Sequence, residues 1–135
     1  MVYALDTNII VKYLRKEFSV HQNFNEAVMR GDDLVIPKIV DYEIRRGFRI
    51  VTASKKEAVY KLLTGPDGWC RVAVLGSGSW ERAEHVYAEL YRKGLTVGDL
   101  DILIAAFCLE NNYTFVTSNT KHFKDIDRLL LADWS

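Results

Sequence analysis

The sequence predicts an α/β sandwich in which a largely parallel sheet is covered by helices on both faces. Short apolar runs at Val2–Leu5, Leu34–Ile36 and Thr114–Thr117 alternate with stretches of helical periodicity, and that alternation implies parallel pairing. Polar or turn residues follow these runs (Asp6-Thr7-Asn8, Pro37, Ser118-Asn119), as expected where buried strands stop at a sheet edge. The segment Ile102–Leu109 is apolar on nearly every face, which marks a central helix buried on all sides. Residues 1–135 are expected to form one domain, long enough to bury a core without disulfides.

Val2–Leu5 reads as a buried strand feeding a helix through Asp6-Thr7-Asn8, and Ile9, Ile10, Tyr13 and Leu14 continue on helical spacing. Val20, Phe24, Ala27 and Val28 form a second helical stripe closed by Gly31. After Leu34–Ile36, Pro37 is expected to end strand pairing. A helix follows over about Ile39–Val51, then another over Lys55–Leu63 with Ala58, Val59, Leu62 and Leu63 inward. Gly65-Pro66-Asp67-Gly68 is a turn leading to a strand at Val72–Leu75. The helix over about Trp80–Arg92 gathers Trp80, Ala83, Tyr87, Leu90 and Tyr91 on one side, for core or subunit packing. Thr114–Thr117 and a short Leu129–Leu131 complete the strands.

Acidic and basic residues balance at 18 each, so net charge by itself points to no partner. Cys70 and Cys108 sit in apolar surroundings without zinc-ligand spacing, which fits buried thiols in a reducing compartment. No run is long enough to span a bilayer, and Val2–Leu5 is too short for a signal peptide, so the cytoplasm is the expected location.

Parallel sheets bind ligands beyond the carboxyl ends of their strands. Asp6 follows the first strand there, Glu43 lies early in the helix after the second, and Asn119 follows Thr114–Thr117. Asp99 and Asp101 stand at the head of the central helix. Carboxylates gathered at one edge repel unless a cation joins them, and oxygen-only ligands favour magnesium or manganese over zinc. Phosphodiester hydrolysis fits this set, with Asp6 and Asp101 on the metal and Glu43 orienting or deprotonating water.

Each acid also has a plainer reading. Asp6 could be only an N-cap, and Glu43 could be paired with Arg46 or Arg49 on a helix surface. Thr96-Val97-Gly98-Asp99 reads as a capping box, whereas the neighbours of Asp101 at i+3 and i+4 are Ile104 and Ala105. Asp101 is therefore the chosen ligand. Asn119 could shape a turn or offer a neutral amide oxygen to metal or water. Arg45, Arg46 and Arg49, beside Glu43, could form a basic rim for a phosphodiester substrate or a solvated face. His122, with no carboxylate at a fixed spacing, reads as a surface histidine.

With these residues in place, the sequence resembles the PIN-domain ribonucleases, specifically the VapC-type toxins of toxin–antitoxin pairs. Leu5-Asp6-Thr7-Asn8, Tyr42–Gly47, Val97–Ala106 and Val116–Asn119 through His122-Phe123 match the family's four motifs in order, and Asp133-Trp134 resembles its usual ending. The resemblance implies a three-layer α/β/α sandwich, a divalent cation (Mg2+ or Mn2+), an RNA substrate, a small antitoxin partner and a homodimer. Its third motif places the metal-binding acid immediately before the Ile-Leu-Ile-Ala-Ala run, at Asp101. The departure is Asn119, where an acid is often found. It removes a charge and opens the alternative of a catalytically weak RNA-binding module. A phosphoacceptor signalling domain would need an acidic pair after the first strand, and a haloacid-dehalogenase-like phosphatase would need Asp where Asn8 stands.

Overall fold

The computed structural model describes residues Met1–Ser135. In chain order the elements are β1 (Val2–Leu5), α1 (Thr7–Leu14), α2 (Phe18–Arg30), β2 (Asp33–Pro37), α3 (Lys38–Ile50) and α4 (Ser54–Leu63). They continue as β3 (Cys70–Ala73), α5 (Ser77–Arg92), α6 (Asp99–Asn111), β4 (Thr114–Val116), α7 (Thr120–Phe123) and β5 (Leu131–Ala132). The strands form one five-stranded sheet in the order β3-β2-β1-β4-β5, and every pairing is parallel.

This order follows from how the chain is laid down. From β1 it steps outward to β2 and β3, then returns through α5 and α6 to place β4 on the other flank of β1. Right-handed crossovers require α1–α4 to cover one face and α5–α6 the other. The packing agrees, with α1 against α2, α3 and α4, and α5 against α6. The reversal of direction leaves a crevice beyond the carboxyl ends of β1 and β4, the switch point where such sheets bind ligands.

Burial on both faces explains the strand composition. Leu34, Val35 and Ile36 are all buried, so β2 needs a continuous apolar run rather than alternation. On α6 the six residues Ile102 and Ile104–Cys108 are buried, which accounts for a helix apolar all round. Cys70 and Cys108 are free and buried, and burial pushes both thiols upward. No helix is long and apolar enough to cross a membrane.

Several boundaries and orientations differ from the sequence reading. Pro37 still pairs, opposite Ala73, as the last residue of β2, because its missing N–H falls where the strand hands over to α3. β3 starts at Cys70, two residues before the apolar Val72 that the sequence reading took as its start. On α4 Leu63 is buried as expected, but its buried companion is Tyr60, while Ala58, Val59 and Leu62 are exposed. Trp80, Tyr87 and Tyr91 are likewise exposed, whereas Ala83 and Leu90 are buried as expected, together with Ser79 and Val86.

The phase of α4 has a polar cause. The Tyr60 hydroxyl donates to Asp41 Oδ1 over 2.7 Å, and Asp41 on α3 is 1% exposed. Lys38 and Arg45 donate to the same carboxylate at 3.0 and 2.9 Å. Burial alone would raise the Asp41 pKa, but the hydrogen bonds from Tyr60, Lys38 and Arg45 outweigh it and hold the group below its ordinary 3.8. A depressed carboxylate adds stability that is complete above 3.8 and is lost as pH falls through the folded-state value. Asp41→Ala leaves the buried Tyr60 hydroxyl without its acceptor and is expected to cost about 1–3 kcal/mol at neutral pH. Urea unfolding should show this deficit narrowing as the pH drops below 3.8, and a pH-independent deficit would count against the ionised pair.

Candidate active site

Asp6 stands where β1 becomes α1. Its backbone N–H donates to Val116 O at 2.9 Å, extending the pairing of β1 with β4 by one bond. Its side chain caps α1, with Oδ1 accepting from Thr7 N at 2.8 Å, and Oδ2 accepts from Thr117 Oγ1 at 2.8 Å and Asn8 Nδ2 at 3.3 Å. The capping reading is therefore true of Asp6, and the residue also lines a pocket. The carboxylate is 7% exposed. Burial raises its pKa above 3.8, hydrogen bonds from Thr117 and Thr7 oppose this, and the charges of Asp101 and Glu43 add to the rise.

Thr117, fully buried at the end of β4, was not singled out from the sequence. Its hydroxyl donates to Asp6 and accepts from Asn8 Nδ2 at 3.3 Å and Asn119 N at 3.1 Å, which uses its whole hydrogen-bonding capacity. Asn8 Oδ1 accepts from Ser118 N at 3.1 Å. These bonds lock the turn after β1 to the turn after β4.

Glu43 reaches the same place from α3. Thr7 Oγ1 donates to Glu43 Oε1 over 2.8 Å, while Oε2 lies 3.9 Å from Arg46 Nη2. Asp101, in the first turn of α6, accepts from His122 Nε2 at 3.0 Å and is 41% exposed. Asp101 is thus less enclosed than its apolar helical neighbours implied, because the first turn of α6 overhangs the crevice.

Asp6, Glu43, Asp101 and Asn119 all line one pocket of about 410 Å³, together with Thr7, Asn8, Lys12 and Arg15. No three acidic, histidine or cysteine side chains come close enough to cage a metal by themselves. A cation bound by two carboxylates would complete its shell with water, as magnesium commonly does. The donor set fits such an ion: all-oxygen, with one desolvated carboxylate whose ionisation the neighbouring acids oppose.

Other sequence expectations change. Arg45 is held by Asp41, and none of Arg45, Arg46 and Arg49 lines the pocket. Lys12 and Arg15 line it instead, and neither forms an ion pair within the chain. The signal for them was in the sequence, since positions 8, 12 and 15 share one helix face. Asp99 makes no capping box: Gly98 caps α6 without a side-chain bond, and Asp99 faces Trp80, Glu84 and Tyr87 in a different cleft. His122 is not a bare surface residue, because α7 folds back and places it on Asp101 across 21 positions of sequence.

A family model described as PIN domain matches residues 3–129. Ribonuclease VapC2 of Rickettsia felis is 31% identical, with 99% of this chain and 98% of that protein covered. The tRNA(fMet)-specific endonuclease VapC of Shigella flexneri is 28% identical over 98% of each. Among solved structures, VapBC2 from Rickettsia felis bound to a promoter DNA fragment superposes with a TM-score of 0.88 at 26% identity, covering 100% of both chains. VapBC-1 from nontypeable Haemophilus influenzae gives 0.84 at 28% identity, covering 99% of this chain and 98% of that one.

The raised pKa of Asp6 has a thermodynamic consequence. An acid with a raised folded-state pKa loses stability as pH climbs from 3.8 through that value, because ionisation is harder in the fold. Asp6→Asn should therefore melt at or above wild type in EDTA at neutral pH, with the gap closing toward pH 3.8. Calorimetry that found the variant several degrees lower would mean the bonds from Thr7 and Thr117 require the charge.

Proposed function

This chain belongs to the PIN-domain family, and we propose that its pocket binds a magnesium or manganese ion on Asp6 and Asp101 and hydrolyses RNA there. The chain is an endoribonuclease of the VapC type, the toxin of a toxin–antitoxin pair. The observation that carries the site assignment is the meeting of Asp6, Glu43 and Asp101, from three separated segments, in one pocket at the switch point of the sheet.

When bound, the divalent ion supplies Lewis-acid stabilisation of charge on the phosphate. The remaining work falls to the chain. Thr7 holds Glu43 Oε1, and Oε2, which lies 3.9 Å from Arg46 Nη2, takes a proton from the attacking water. That water oxygen bonds to phosphorus, the bond from phosphorus to the leaving ribose oxygen breaks, and solvent protonates the leaving oxygen. Asn119 offers a neutral amide at the rim where a further acid would add charge. Lys12 and Arg15 grip phosphates flanking the reacting one.

The same carboxylates suit an inhibitor. An arginine of a small antitoxin could pair bidentately with them and close the pocket to metal and RNA. A second copy of the chain fits the exposed aromatic face of α5, where Trp80, Tyr87 and Tyr91 stand uncovered, and sedimentation mass is the measurement for it. The buried free thiols accord with a reducing cytoplasm.

RNA cleavage by the purified chain should stop in EDTA and return with magnesium or manganese. Asp101→Asn should slow it by orders of magnitude while circular dichroism stays unchanged. Cleavage that persists in EDTA, or an unfolded Asp101→Asn, defeats the metal assignment. Substrate grip is read separately from the salt dependence of RNA binding. Lys12→Ala and Arg15→Ala should each flatten the log–log slope by about 0.7 if one single-strand phosphate contact is lost, while Arg49→Ala leaves it unchanged. An unaltered slope in the Lys12/Arg15 double variant removes them from the substrate path.

A further inference from the structure

Two carboxylates of the pocket are held in very different ways. Asp6 is enclosed and receives hydrogen bonds from Thr7, Asn8 and Thr117. Asp101 is 41% exposed, and the one side chain that hydrogen-bonds to it is His122, through Nε2 at 3.0 Å from Oδ2. An aspartate on the first turn of a helix can otherwise swing among staggered rotamers.

His122 is itself fixed from the core outward. Its backbone N–H donates to Asn119 O at 3.1 Å, so the short α7 sets its position. Its ring meets Phe123 edge-on, with centroids 5.1 Å apart and planes at 87°. Phe123 is 1% exposed and packs edge-on against Phe115 of β4 at 4.9 Å. A line of contacts thus runs from the central sheet through Phe115 and Phe123 to the imidazole and ends on the Asp101 carboxylate. Since an ionised carboxylate carries no hydrogen, Nε2 is the donor in this contact.

We propose that His122 is the positioning residue of Asp101: it holds Oδ2 in place and so fixes the carboxylate that would bind the divalent cation. This rests on the metal reading above. The histidine donates to the ligand and does not itself bind the ion. Groups that donate to a ligand are commonly worth a large factor in metal affinity, because they remove the ligand's orientational freedom before binding.

The test is Mn2+ binding by the full chain without RNA, followed by electron paramagnetic resonance, for wild type and the His122→Ala, His122→Gln and His122→Asn variants. His122→Ala is expected to weaken Mn2+ binding by about 10- to 100-fold. The glutamine amide nitrogen reaches the place of Nε2 and should restore most of the loss. The asparagine amide falls at the place of Nδ1 and should not. Should His122→Ala prove misfolded by circular dichroism, the glutamine–asparagine comparison decides alone. Unchanged affinity in His122→Ala, or equal weakness of the Gln and Asn variants, overturns the positioning role. Coupling of Mn2+ to a directly bound imidazole nitrogen in wild type overturns it too, because the histidine would then be a ligand. If wild type binds no Mn2+ at all, the metal reading falls first and this inference with it.

Discussion

At the carboxyl edge of the sheet the Thr117 hydroxyl donates to Asp6 while accepting from Asn8 and from the backbone of Asn119. It joins two strands that are neighbours in space but separated by most of the chain, and it does so where the order of strand addition reverses. Asp6 N to Val116 O continues the ladder across the same gap. The pocket depends on this joint. It sets the start of α1, hence the placing of Thr7 and, through Thr7, of Glu43. On the β4 side it sets the turn that begins α7, hence the placing of His122 and, through it, of Asp101. A hydroxyl suits the task because it can donate once and accept twice from a fully buried position.

The joint also accounts for the electrostatic character of the site. Enclosure that secures Asp6 raises the cost of its charge, and two more acids nearby raise it further. Hydrogen bonds from Thr7 and Thr117 offset part of that cost without cancelling it. A pocket left in this condition has a standing attraction for a cation. In the function proposed above, a hydrated divalent cation and an arginine side chain of an inhibitor would answer the same need, and activation and restraint would share one set of carboxylates.

Helix geometry lets neighbouring acids do unrelated jobs. Residues two apart on a helix point about 200° away from each other. On α3, Asp41 turns inward to Tyr60 and ties α3 to α4, while Glu43 turns to Thr7 and the pocket. On α6, Asp101 meets His122 at the pocket, while Asp99 faces Trp80 and Tyr87 on the opposite side. The buried Asp41 network thus steadies the helix that delivers Glu43, without itself lining the pocket.

Periodicity and chain order were enough to determine the α/β sandwich, the central α6 and the edge at which Asp6, Glu43, Asp101 and Asn119 would gather. Those features follow from local burial patterns and from the rule that parallel strands end on the same side. Asp101 and Asp99 do lie in different clefts, but not for the reasons their spacing suggested: Gly98, not a capping box, begins α6, and Asp101 is open to the pocket rather than turned into the core. What the sequence could not determine were pairings between distant side chains. The Asp6–Thr117 joint, the Asp41–Tyr60 tie and the His122–Asp101 contact span 111, 19 and 21 positions. A hydrogen bond is specified by a few tenths of an ångström and an angle, and such precision exists only after the elements have packed. The same holds for cations: Arg45 looked available beside Glu43 and is taken by Asp41, while Lys12 and Arg15 reach the pocket because packing turned that face of α1 toward it.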